Sequence, residues 1–68
     1  DKDQDAYIFE FKVQDTLEEN TLQDTVNAAL KQIEEKHYDV QLIAKGIKKE
    51  KIRHYGFAFC GKKVLIGK

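Results

Sequence analysis

From Ala6 to Val13 the chain reads AYIFEFKV. Strand alternation sets Tyr7, Phe9, Phe11 and Val13 on one face and Ala6, Ile8, Glu10 and Lys12 on the other. The first face is wholly apolar and rich in aromatic residues that favour strands, so the pattern predicts a buried strand with Tyr7, Phe9 and Phe11 in the core. Residues 14–20 are polar apart from Leu17 and predict a loop. Asn20 or Thr21 can cap a following helix, with Gln23 or Asp24 three residues on as in a capping box. Leu22, Val26, Ala29, Leu30 and Ile33 then recur at helical spacing and form one apolar stripe down to about His37.

Tyr38 to Ala44 predicts a short second helix, ended by Gly46 at its C-terminal cap. Alternation returns from Lys51 to Cys60, with Ile52, His54, Gly56 and Ala58 on one face and Arg53, Tyr55, Phe57 and Phe59 on the other. Phe57 and Phe59 join the expected core. Gly61-Lys62 can supply a two-residue hairpin turn, and Val64, Leu65 and Ile66 make the last strand. The order is β-α-(α)-β-β, an α+β (broadly α/β) fold on a mixed sheet. The first two strands should be parallel through a right-handed crossover, and the last two antiparallel. A helix on one face leaves the other poorly covered. Its cover should come from sequence outside the chain or from another protomer, so self-association is expected.

Length sharpens that expectation. A chain of 68 residues makes one domain at most and buries only about 60% of the surface its unfolded form exposes. Its single cysteine, Cys60, allows no internal disulfide, and His37 and His54 lie too far apart in sequence to suggest a zinc cluster. Stability must come from the core, a missing remainder or a partner, and the chain does not begin with Met. Residues 1–68 therefore read as one partial domain.

Lys plus Arg and Asp plus Glu number twelve each, which argues against nucleic-acid or membrane binding driven by bulk charge. The distribution is uneven, with acids concentrated in residues 1–24 and bases in residues 45–68. A basic C-terminal half could form a phosphate-facing surface beside a metal-binding one, although solvated charge explains it as well. There is no secretory signal, lipidation motif or apolar run long enough to cross a bilayer. With a reduced cysteine, this predicts a cytoplasmic protein without a membrane partner.

Glu10 and Lys12 share a strand face with Ala6 and Ile8. Burying a carboxylate and an ammonium is costly unless they are paired or bound. Such residues suit metal chemistry: the carboxylate is a hard ligand for Mg²⁺, and the ammonium can orient a water and offset charge on a phosphate. The triplet Glu10-Phe11-Lys12 is weak alone, because surface strands carry such charges often.

Its context adds weight. YIFEFK, a polar loop, a helix with ALKQIEEKHY, a Gly-ended turn and HYGFAFCGKKV follow in order. Over residues 6–68 this resembles the C-terminal part of PD-(D/E)xK nuclease-superfamily proteins. The likeness is nearest to the family at the C-terminal end of bacterial proteins with an AAA-ATPase-like N-terminal region. The resemblance implies a restriction-endonuclease-like core fragment, with Glu10 as metal-binding acid, the Phe11 backbone carbonyl as a further metal ligand and Lys12 as catalytic lysine. Gln32 matches a glutamine on the following helix that contacts the site or the substrate backbone. It also implies Mg²⁺ (or Mn²⁺) as cofactor and nucleic acid, DNA above RNA, as substrate. Two departures stand out: Lys36 occupies a position where some branches carry tyrosine, with Tyr38 two residues later, and the second metal-binding aspartate is missing. Asp5 is too close to Glu10 to supply it, as are Asp1 and Asp3. Weak metal binding and an inactive fragment are therefore expected.

The remaining residues read as structural. His37 and His54 lack ligand partners, Cys60 packs, and base stacking on the aromatic residues would need an exposure the alternation does not suggest. Two functions compete: a metal-dependent phosphodiesterase, and a non-catalytic module in which the Glu10–Lys12 pair is structural.

Overall fold

The computed structural model describes residues 5–68; Asp1 and Asp3 lie outside the described residues. Strand β1 (Ala6–Val13) leads through a polar loop to helix α1 (Leu22–Glu35) and helix α2 (Tyr38–Ala44). A 3-10 turn at Lys49–Lys51, unmarked in the sequence pattern, precedes β2 (Ile52–Cys60) and β3 (Lys63–Gly67). The sheet order is β1-β2-β3. β1 and β2 are parallel, with Glu10 opposite Gly56 and Lys12 opposite Ala58, and β2 and β3 are antiparallel. This is the expected α+β fold on a mixed sheet. β1 is an edge strand among the described residues, not the buried strand its apolar face suggests.

Local chemistry explains the joints. Thr21 caps α1, its hydroxyl accepting from the Asp24 N–H while the Asp24 carboxylate accepts from the Thr21 N–H, a closed capping box. At the end of α2, the Gly46 N–H donates to the Ile43 carbonyl and the Ile47 N–H to the Leu42 carbonyl. That double bond pattern is a Schellman motif, and it requires the left-handed φ of 99° at Gly46. Gly61, at φ 58°, supplies the first position of the two-residue turn between Cys60 and Lys63.

The core lies between α1 and the face of the sheet that holds Gly56. Val26, Ala29, Ile33 and Ala58 are fully buried there, together with Thr25. The expected aromatic core is on the opposite face, and that face is open. Tyr7, Phe9, Phe11 and Val13 are 50–71% exposed, and Phe57 and Phe59 are only half-buried. Alternation determines which residues share a face but not which face the helix takes. β2 decides it: Gly56 and Ala58 let a helix approach closely, whereas Tyr55, Phe57 and Phe59 would hold it away. The rings left outside pack on one another, with Phe11 and Phe57 centroids 4.8 Å apart and Phe9 and Phe57 edge to face at 5.6 Å.

Candidate functional site

Glu10 and Lys12 lie on the packed face of β1, directed towards α1, and both are mostly buried. They do not pair with each other. The Lys12 Nζ donates to Glu19 Oε2 at 2.9 Å, and the Lys36 Nζ reaches Glu10 Oε1 at 3.4 Å. Glu19 lies in the loop before α1 and Lys36 caps its C-terminus, so the two motif charges are held at opposite ends of the same helix. Neither counter-ion was expected from the sequence, because their separations of 7 and 26 residues match no local motif.

Glu19 is firmly set. Its Oε1 accepts from the Asp15 N–H at 2.8 Å and from the hydroxyl of buried Thr25 at 3.0 Å. The Lys12 hydrogen bond, then the Asp15 N–H, hold its carboxyl below the ordinary carboxylate range, against an upward push from burial. At the other end, the charge of Glu10, and after it Tyr38, raises the Lys36 ammonium above its usual value. Lys36 also sits 6.0 Å from the centroid of the Tyr38 ring. Lys36 is therefore the counter-ion of the motif carboxylate.

The Phe11 carbonyl has a different surrounding. The Gln14 N–H donates to the Phe59 carbonyl at 2.8 Å, so the even-numbered residues of β1 turn their backbone groups towards β2. By alternation the odd-numbered residues, Phe11 included, turn theirs to the open edge. A carboxylate and an edge-facing carbonyl on successive residues are both hard oxygen donors, a set that suits Mg²⁺ completed by waters and phosphate. Among the described residues no group of three or more His, Cys, Asp or Glu could hold a metal. Asp5 is not the missing second acid: it is on the aromatic face, roughly 16 Å along the strand from Glu10 at about 3.3 Å per residue, and its Oδ2 accepts from Arg53 Nε at 3.2 Å.

Gln32 is half-buried on α1, one turn before Lys36, and its side chain bonds to neither Glu10 nor Lys12. The basic C-terminal half is divided along β2: Lys49 and Lys51 precede the strand, and Arg53 and Lys68 share a cleft near its start, whereas Lys62 and Lys63 follow its other end, roughly 27 Å away along the strand. His54 is not isolated: its Nε2 lies 2.7 Å from Asp39 Oδ1 and ties α2 to the sheet. Two shallow clefts, one beside Tyr7, Tyr38 and Leu42 and one beside Arg53 and Lys68, include neither Glu10 nor Lys12. No helix among the described residues is long and apolar enough to cross a membrane.

A family model for the PD-(D/E)XK nuclease superfamily matches residues 1–68. No curated protein and no solved structure matches the chain.

Proposed function

The chain belongs to the PD-(D/E)XK nuclease superfamily, and from that premise we propose that it carries part of a metal-dependent site for phosphodiester hydrolysis of DNA. Its mixed three-stranded sheet with two helices fits a core fragment of that fold, and members of the superfamily generally use divalent metals such as Mg²⁺. The observation that carries the reading is Glu10 and Lys12 side by side on a packed face, next to the outward-turned Phe11 carbonyl. Glu10 and the Phe11 carbonyl would hold Mg²⁺ or Mn²⁺, which when bound supplies a Lewis acid for the phosphate and a more acidic water. Lys12 offsets charge on the phosphate and orients the attacking water. Gln32, half-buried on α1, would contact the site or the substrate backbone, as its match to the family's helix glutamine implies.

One acidic ligand in place of two makes metal affinity weak, so the chain alone should cleave slowly or not at all. The reading further assigns residues 1–68 as the C-terminal part of a nuclease-like domain in a bacterial, cytoplasmic parent with an AAA-ATPase-like region. The test is Mn²⁺ titration followed by NMR, with Mg²⁺-dependent DNA cleavage by the longest available form of the protein. Broadening centred on Glu10 and Phe11, and cleavage lost in Glu10→Ala and Lys12→Ala, support it. Undiminished cleavage in both variants would overturn it. The non-catalytic reading is favoured by a separate observation, the lack of a second acid beside Glu10 among the described residues. It predicts no broadening at Glu10.

For the open face we infer self-association of two copies. At about 200 Å² per aromatic side chain, the exposed fractions of Tyr7, Phe9 and Phe11 leave roughly 330 Å², and Val13, Val64 and Ile66 on the same face bring the apolar surface to roughly 600 Å². That is the upper end of the largest patch on a typical monomer, about 300–600 Å², and a large part of the roughly 800 Å² each partner gives to a standard interface. A stacked nucleic-acid strand fits less well, because Arg53 on this face is held by Asp5. Zero net charge adds no repulsion between copies. A concentration-independent monomer in analytical ultracentrifugation would refute the pairing, and Phe11→Lys should abolish it.

A further inference from the structure

We propose that Glu19 is the positioning residue for Lys12, fixing the ammonium of the motif lysine over the helix-side face; its catalytic consequence rests on the nuclease reading above. The ion pair is built rather than incidental. An exposed Lys–Glu pair must freeze two long side chains for little return. Here the carboxylate is ordered independently of the lysine. Oε1 is occupied by the Asp15 N–H and the Thr25 hydroxyl, which leaves Oε2 directed at Lys12.

The backbone around Glu19 is fixed as well. Its N–H donates to the Asp15 carbonyl at 2.7 Å, and its own carbonyl accepts from the Gln14 side-chain amide at 2.8 Å. Thr25 is fully buried in the first turns of α1, so Glu19 is referenced directly to the core. Its side chain is 12% exposed, against 24% for Lys12.

The chain of restraint therefore runs from the core through Thr25 to Glu19 and on to Lys12. A flexible lysine on an edge strand would otherwise sample many rotamers with its charge in water. Held by Glu19, it stays two residues from Glu10 on the same face, where the proposed chemistry needs it. Because Glu19 keeps Oε1 on Thr25 and Asp15, it stays in place when Lys12 turns to a phosphate, and recaptures the ammonium afterwards.

The test uses the isosteric variant Glu19→Gln. The glutamine carbonyl can still accept from Asp15 and Thr25, while its amide NH₂ cannot accept from Lys12. In ¹⁵N-labelled protein the Lys12 ammonium protons should be visible and slow to exchange. They should vanish in Glu19→Gln and broaden in Thr25→Val, with the backbone amide shifts of β1 and α1 preserved. In Mg²⁺-dependent DNA cleavage, Glu19→Gln should lower kcat about tenfold with KM unchanged, the mark of a lost transition-state interaction. An ammonium signal that is absent in the wild type, or equally protected in Glu19→Gln, overturns the proposal. So does a loss confined to KM. Absence of wild-type cleavage and of Mn²⁺ broadening at Glu10 would remove the nuclease reading instead, and the hold of Glu19 on Lys12 is then decided by the ammonium signal alone.

Discussion

Gly56 is opposite Glu10 in the β1–β2 register and opposite Gly67 in the hairpin, where α1 passes close over the sheet. A Cβ there would lie 3.0 Å from the Val26 carbonyl oxygen, 3.2 Å from the Ala29 Cβ and 3.3 Å from the Leu30 Cγ. Two of these three neighbours belong to the helix backbone or its first carbon and cannot rotate away. Gly56→Ala therefore lifts α1 by a few tenths of an ångström. Overpacking of this kind costs about 1–3 kcal/mol. The lower entropy of an alanine in the unfolded chain offsets about 0.4–1 kcal/mol. The net loss is about 1–2 kcal/mol, a large share of the roughly 3–10 kcal/mol expected for a chain of this length.

Urea unfolding measures this loss directly. With a slope near 1 kcal/mol/M for so small a chain, the midpoint should fall by about 1–2 M. Ala29→Gly removes one of the three contacts, so adding Gly56→Ala in that background should cost less than adding it to the wild type. A midpoint for Gly56→Ala equal to or above the wild type would refute the close approach, and with it the account of why α1 chose this face.

Ile33→Ala empties one of the largest fully buried positions and should cost about 2–5 kcal/mol, enough to leave much of the chain unfolded at 37 °C in thermal melts. Stability should fall at both ends of the pH range. Glu19 has a lowered folded-state pKa, so its contribution is present above the unfolded carboxylate value of about 4.3 and is lost as pH drops through the folded one. Lys36 is raised, so its contribution holds below the unfolded value of about 10.4 and fades as pH climbs through the folded one. Melting curves across pH should show a shallower acid limb in Glu19→Gln and a shallower alkaline limb in Lys36→Met; unchanged limbs would refute the assignment. Helix α2 buries no residue completely, so Asp39→Asn, which weakens its link to His54, should speed hydrogen exchange in Tyr38–Ala44 far more than in α1.

Much of the fold was legible because its signals are local. The Thr21 cap, the Gly46 stop and the Gly61-Lys62 turn each depend on neighbouring residues, and the structure has all three. The side of the sheet was not legible. Tyr7, Phe9 and Phe11 are more hydrophobic than Ala6, Ile8, Glu10 and Lys12, so strand β1 alone assigns the core to the wrong face. The deciding information is on another strand, where Gly56 and Ala58 make room for a helix. Glu10 and Lys12 were identifiable as candidates from their shared face, whereas Glu19 and Lys36 come to them through the crossover and carry no sequence signal of their own.

These two gaps have one physical origin. Once α1 docks on the small residues of β2, the face bearing Glu10 and Lys12 is closed over, and two charges on it must be answered. A pair that served only to satisfy itself would join the two motif residues directly, two positions apart on one strand. Instead each takes a separate partner from an opposite end of α1, so neither charge neutralises the other. The two ends differ in kind. Lys36 is half-exposed and makes a long contact that a divalent cation could replace, whereas Glu19 is anchored to Thr25 and cannot leave without disturbing the helix start. The carboxylate of the motif is thus held exchangeably and its lysine is held by a fixed anchor. That is the division of labour expected of a metal ligand beside a positioned catalytic cation, and it is a more specific argument for the nuclease reading than the triplet Glu10-Phe11-Lys12 offers by itself.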